Sequence, residues 1–285
     1  MTMTTATTAQ GSGLSFRGLL LSEWIKLSSL RSTVWCYGIM VTLNIGLGLL
    51  LAASFQPQAD ATTVLDQGLW VATSTIGIAF SQLVIAVLGA LVITGEYGTG
   101  MIRSTLTAVP KRLPALLAKA VIFSLVTFVV SLITILVTAL FAGLILSGKG
   151  VNLDLADGGA WRAFIGGAAF LTLVGLIALL LGTIVRNSAA GISAVLGLIF
   201  VAPIVVSIFA ALTRAAWVQN VAEFLPSGVA GNSGAGARMY SYAASPAPTI
   251  PDVIVLEPGQ GLLVMIAWVL LFGIIASLLL KRRDA

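Results

Sequence analysis

Six long runs nearly free of charge dominate the chain, at roughly 33–55, 70–94, 119–146, 162–185, 189–212 and 261–280. Each meets the ~20 apolar residues needed to carry a helix across ~30 Å of hydrocarbon, so six membrane spans are predicted. Between residues 14 and 31 the pattern changes: Phe16, Leu20, Trp24 and Leu27 recur at helical spacing, with Gly18, Ser22, Lys26 and Ser29 on the other side. This predicts an amphipathic helix lying along the membrane surface before the first span. Glu23 falls on the apolar side; it either finds a partner, Lys26 or a basic residue of another segment, or snorkels to water. Residues 1–13, rich in Thr, Ala and Gly, read as a disordered tail.

Two polar stretches interrupt the apolar runs. Residues 95–119 form a basic island punctuated by Gly95, Gly98, Gly100, Pro110 and Pro114. Glu96 and Arg103, seven residues apart, share a face if helix continues between them. Residues 213–260 form the longest loop; 215–224 suit a short amphipathic helix with Trp217, Val221 and Phe224 on one side, and Leu225, Pro226 and Ser227 end it. The fifth span carries Pro203, which removes a backbone donor near its middle and predicts a kink.

Composition agrees with a membrane class: 58% of residues are hydrophobic, 9% are charged and the mean hydropathy is +1.07, so a soluble chain of 285 residues would have nowhere to bury its apolar surface. Charge then sets the orientation. Six spans place both termini on one side. With that side cytoplasmic, eleven of the fifteen basic residues lie inside and only Lys149, Arg162, Arg214 and Arg238 outside. The positive-inside rule therefore predicts cytoplasmic termini, and the net charge of +5 reflects orientation in a membrane, not nucleic-acid binding.

The chemistry available is narrow. Histidine is absent and Cys36 is the single cysteine, which removes the commonest metal ligands and general base as well as any disulfide framework. No charge lies near the centre of a span, which argues against an ion-coupled carrier, and no paired carboxylates or metal motif at membrane depth suggest a hydrolase. Asp154 and Asp157 outside the membrane lack a ligand cage. Residues 143–149 match the first seven positions of a phosphate-binding loop, but Gly150 replaces the required Ser or Thr and no strand precedes it. The chain thus carries no ATP site of its own. Within the spans the scattered polar or helix-breaking residues are Asn44, Ser74, Gln82, Pro203 and Ser207, a candidate substrate pathway for a hydrophobic or amphipathic cargo.

The block GEYGTGMIRSTLTAVPKRLPALLAKA resembles the cytoplasmic segment between spans two and three of bacterial ABC-2 type permeases, in which an E-Y/F-x-x-G-T/M-I/L-R core precedes a basic, Pro-containing stretch. The lead-in SEWIKLSSLRSTVW resembles the E-x-x-K-x-x-x-x-R-S pattern with which those subunits enter their first span. Six spans and a long external segment before the last one also match. The resemblance implies that Glu96, Tyr97, Gly98, Thr99, Gly100, Met101, Ile102 and Arg103 form a coupling helix against a separate ATPase subunit. A cytoplasmic helix bearing Glu23, Lys26 and Arg31 would pack beside it. It further implies a homodimer of permease subunits in a bacterial inner membrane, ATP and Mg bound by the partner ATPase, and export of a drug, peptide antibiotic or lipid, with multidrug resistance as one outcome. Short re-entrant helices would close the outer end of the pathway within 213–260. The alternative, from another class, is a non-transporting membrane scaffold or immunity-type protein that uses the loop only to bind a partner.

Overall fold

The computed structural model describes residues 16–56, 63–100, 112–228, 234–242 and 252–282. Over these residues the regular secondary structure is all helical, without strands. Helix α1 covers Phe16–Ser29, α2 Arg31–Ser54, α3 Thr63–Thr75, α4 Ile78–Gly98, α5 Arg112–Gly148 and α6 Gly158–Val185. Then follow α7 (Ser188–Leu196), a π-helical turn (Gly197–Val201), α8 (Ala202–Thr213), α9 (Ala216–Glu223), α10 (Ala235–Met239) and α11 (Pro258–Arg282). Six stretches are long and apolar enough to cross a membrane: Arg31–Ser54, Leu65–Gly98, Leu113–Gly148, Gly158–Val185, Ser188–Thr213 and Pro258–Arg282. This is a multi-pass, all-α membrane protein. The tail at 1–13 lies outside the described residues.

The helices outrun the apolar runs that mark them, because helix continues into the head-group zone where polar residues are tolerated. At ~1.5 Å per residue the 37 residues of α5 extend roughly 55 Å, well beyond ~30 Å of hydrocarbon. Two spans are interrupted. The second breaks at residues 76–77, where a Cβ on Gly77 would collide with the backbone of Asn44 and sit 3.0 Å from its side chain, so the glycine lets α2 cross closely. The fifth carries the π turn directly before Pro203. Proline cannot donate to the carbonyl four residues back and its ring crowds it. The wider turn, in which the Ala202 N–H reaches the Gly197 carbonyl, absorbs that conflict.

The second and fourth spans form the core, with 61% and 72% of their apolar windows buried against 17% and 11% for the fifth and sixth. Exposed Val205, Phe209, Leu212, Leu263, Leu270 and Ile274 give the peripheral spans lipid-facing surfaces. In the core α4 packs most extensively on α6. A Cβ on Gly89 would strike the carbonyl of Gly175 and stand 2.9 Å from Ala178, so the two backbones touch. Lipid tails are as apolar as leucine, so the association rests on such close contact. Gly89→Ala is expected to cost about 1–3 kcal/mol, read as a lower midpoint of thermal unfolding in detergent.

Between the fifth and sixth spans the chain folds back onto the bundle. All five residues of α10 are buried, and α10 packs on α6 and α11. Gly166 faces the Met239 carbonyl at a separation that leaves no room for a side chain. Tyr240 donates to the Gly228 carbonyl (2.8 Å), the Gly228 N–H donates to Gln82 Oε1 (3.2 Å), and Trp268 Nε1 donates to the Phe224 carbonyl (2.9 Å). A buried ion pair closes the segment: Arg238 Nε and Nη2 donate to Glu223 Oε2 and Oε1 at 3.0 and 2.6 Å.

Candidate functional site

Four charged side chains from three helices meet at the end of the bundle where α1 lies. Glu23 and Lys26, one helical turn apart, share a face of α1, and Lys26 Nζ donates to Glu23 Oε1 at 2.8 Å. Lys119 stands two turns into α5, where its Nζ donates to Glu23 Oε2 (2.6 Å) and to Glu96 Oε1 (2.8 Å). Lys26 also reaches Glu96 Oε1 at 3.2 Å. Glu23, Glu96 and Lys119 are 5%, 8% and 6% exposed, so the network is a buried one with no net formal charge.

Local sequence explains how each group is presented. Ser28 and Ser29 donate to the carbonyls of Ile25 and Lys26, satisfying the last turn of α1 before the chain bends at Leu30 into α2. Thr99 caps α4 through its N–H and hydroxyl, both to the Gly95 carbonyl, and Gly100 takes the left-handed conformation (φ +72°) at which helices stop. Glu96 therefore sits in the last turn of α4, at the negative end of the helix dipole, where an acid is unfavourable unless a cation faces it. Lys119 and Lys26 supply that cation. Pro114, in the first turn of α5, is compatible with helix there.

The electrostatics follow from this packing. Burial pushes the Glu23 carboxyl up, but the charges and hydrogen bonds of Lys119 and Lys26 outweigh it and hold the group below its ordinary value. Burial likewise works against the charged form of Lys26, yet the hydrogen bond to Glu23 and the charge of Glu96 raise it above the ordinary lysine value. Beside the network lies a cavity of about 310 Å³, walled by Leu27, Leu30, Leu91, Val92, Ile122 and Phe123 and lined also by all four charged residues.

The residues expected at the ATPase contact divide. Glu96 joins the network; the Tyr97 ring lies under the Arg186 guanidinium, 5.4 Å from centroid to Cζ, which ties the turn after α6 to the end of α4. Gly98 closes α4, and Thr99 and Gly100 form its cap. Met101, Ile102 and Arg103 lie outside the described residues. Arg31 opens α2 and is exposed, apart from the network. The α1 face that packs is only part of the expected apolar side. Phe16 and Trp24 are 48% and 47% exposed, whereas Glu23 and Leu27 are buried, because the charged partners on α4 and α5 decide which face turns inward.

The residues expected along a substrate pathway are engaged in packing. Buried Asn44 accepts from Thr138 (3.1 Å), buried Ser74 donates to the Trp70 carbonyl (2.6 Å), and buried Gln82 bridges Ala79 and Gly228. Ser207 donates to the Ile204 carbonyl one turn before it, and Pro203 is buried after the π turn. None of the five lines the cavity beside the network. Lys119 is the residue sequence reasoning passed over. Its signal in the sequence is a lysine at the lip of an apolar run, a position that by itself marks only the membrane edge. No group of three metal-ligating side chains occurs among the described residues. No protein-family model matches the chain, and no curated protein matches its sequence.

Proposed function

We propose that this chain is the transmembrane permease subunit of an ATP-driven exporter of the ABC-2 type, working as half of a permease dimer with separate ATPase subunits. The observation that carries the reading is the buried network joining α1, the end of α4 and the start of α5. A subunit without an ATP site needs a stiff element through which an external motor can move its spans. Here the two helices that bracket residues 99–111 are locked to each other and to α1 by ion pairs in a water-poor site. Force applied to the intervening segment is thereby passed to the second and third spans together. The positive-inside distribution of lysine and arginine supports a cytoplasmic side for this end of the bundle, and the resemblance to ABC-2 type permeases supports a bacterial inner membrane. The cargo is hydrophobic or amphipathic, in keeping with mostly apolar spans.

The test is to look for a P-loop ATPase gene adjacent to that of this chain and to co-express its product with the permease, followed by capture and ATP hydrolysis in lipid. Glu96→Ala and Arg103→Ala are each expected to weaken ATPase capture by about tenfold, a coupling of ~1.4 kcal/mol. Both variants binding the ATPase and stimulating turnover like the parent would sink the assignment. Capture of the ATPase with no change in its turnover in any variant would favour the scaffold reading.

A further inference from the structure

The cavity beside the network has unused hydrogen-bonding capacity of a particular kind. Lys26 and Lys119 each carry three N–H donors, and two are engaged on each. On the acceptor side, Glu96 Oε2 is buried and has no hydrogen-bond partner among the described residues. A buried carboxylate oxygen without a donor is costly, and such exceptions call for an explanation. The terminal torsion of a glutamate is broad and roughly two-fold, so either oxygen can be turned to the cavity. The four charges already sum to zero, so a ligand with net charge would enter without a counterion. The group that fits offers at least one N–H donor and one anionic acceptor and is itself neutral overall.

The cavity walls add the second half of the description. They are aliphatic and aromatic, and the volume of about 310 Å³ stands at the lower end of small-molecule sites, ~300–1,000 Å³. The site also lies at head-group depth. Glu96 is two residues from the end of the second span, Leu65–Gly98, and Lys119 is six residues past the start of the third, Leu113–Gly148. An apolar recess with a zwitterionic floor at that depth is open to a lipid.

We propose that this cavity binds a zwitterionic phospholipid with a primary-amine head, the ammonium donating to Glu96 and the phosphate accepting from Lys26, while acyl chain packs on Leu91, Ile122 and Phe123. The half-exposed Lys26 side chain, 28% accessible, is the cation within reach of a phosphate. The site is independent of any transport role, since it needs only the membrane and the network.

Phosphatidylethanolamine and phosphatidylcholine of matched acyl chains differ here in one respect: the quaternary choline has no N–H to give to Glu96. The full-length protein is loaded with an equimolar mixture of phosphatidylethanolamine, phosphatidylcholine and phosphatidylglycerol, and the last lipid retained is read by native mass spectrometry. The expected result is about tenfold enrichment of phosphatidylethanolamine over phosphatidylcholine. That enrichment is lost in Leu91→Trp, which fills the cavity without touching the four charges, and is reduced in Glu96→Gln. Ser29→Trp, at the exposed end of α1, blocks the same cavity should Leu91→Trp not fold. Equal retention of the ethanolamine and choline lipids, or enrichment that survives both tryptophan variants, overturns the proposal. Preferential retention of phosphatidylglycerol also overturns it, in favour of a simple anion site on the lysines.

Discussion

Replacing Lys119 with methionine is expected to lower the stability of the folded protein by about 3–5 kcal/mol, the cost of leaving buried charges without their partner. Lys119 is 6% exposed, the more deeply buried of the two lysines, and binds Glu23 and Glu96 at 2.6 and 2.8 Å. Without it two carboxylates share a buried site with one cation, Lys26, which is partly turned to solvent and leaves one negative charge uncompensated. In detergent the unfolding midpoint should fall by on the order of 10 °C. The triple variant Lys119→Met, Glu23→Gln, Glu96→Gln should recover most of that loss, since removing the charges together removes the penalty. No recovery in the triple variant would mean that Lys119 acts by packing.

The same network has a defined pH response. The Glu23 pKa is lowered in the folded state, so its stabilisation is complete above the ordinary value of 4.5 and lost as pH falls through the lowered one. The Lys26 pKa is raised, so its contribution is complete below 10.5 and lost as pH rises through the raised value. Between those limits the two residues make stability insensitive to pH.

The spans were legible because a run of ~20 apolar residues has one use in a chain this hydrophobic. A helix within 14–31, observed as Phe16–Ser29, was legible too from spacing alone, but the partners that bury Glu23 and Leu27 were not. Periodicity ranks faces by hydrophobicity, but it does not say which part of a face meets other helices, and here the ion pairs with α4 and α5 settle that. Glu23 and Lys119 are 96 residues apart, and nothing local distinguishes Lys119 from a charge that merely marks the membrane edge. The sequence predicts a kink at Pro203; that the strain would be taken up by a π turn ahead of it depends on the neighbouring backbone. The charges between the fifth and sixth spans are assigned by counting to the outer side of the membrane, and that counting does not reveal that Glu223 and Arg238 pair and are buried. Positive-inside counting sorts residues by side, and carries no information about which of them pair.

That pairing is what holds the segment between the fifth and sixth spans onto the bundle, and Arg238→Met is expected to release it. Glu223 is 5% exposed and takes both of its hydrogen bonds from Arg238, so removing the guanidinium leaves a carboxylate that must either be dragged to water or stay buried unpaired. The cost is about 3–5 kcal/mol, but it should be paid locally. The contacts of Gly228 with Gln82 and Tyr240, and of Trp268 with Phe224, lie within or just beside the same segment, whereas the close packing of α4 on α6 does not involve Arg238. Amide hydrogen exchange should therefore quicken across Ala216–Glu223 and Ala235–Met239 while Ile78–Gly98 stays protected. Arg238→Lys keeps the charge and loses the two-pronged geometry, and is expected to give an intermediate effect. Adding Glu223→Gln to Arg238→Met should restore protection, because a neutral amide can stay buried at lower cost. Uniform exchange over the whole bundle in Arg238→Met would instead show that this segment and the spans unfold as one unit.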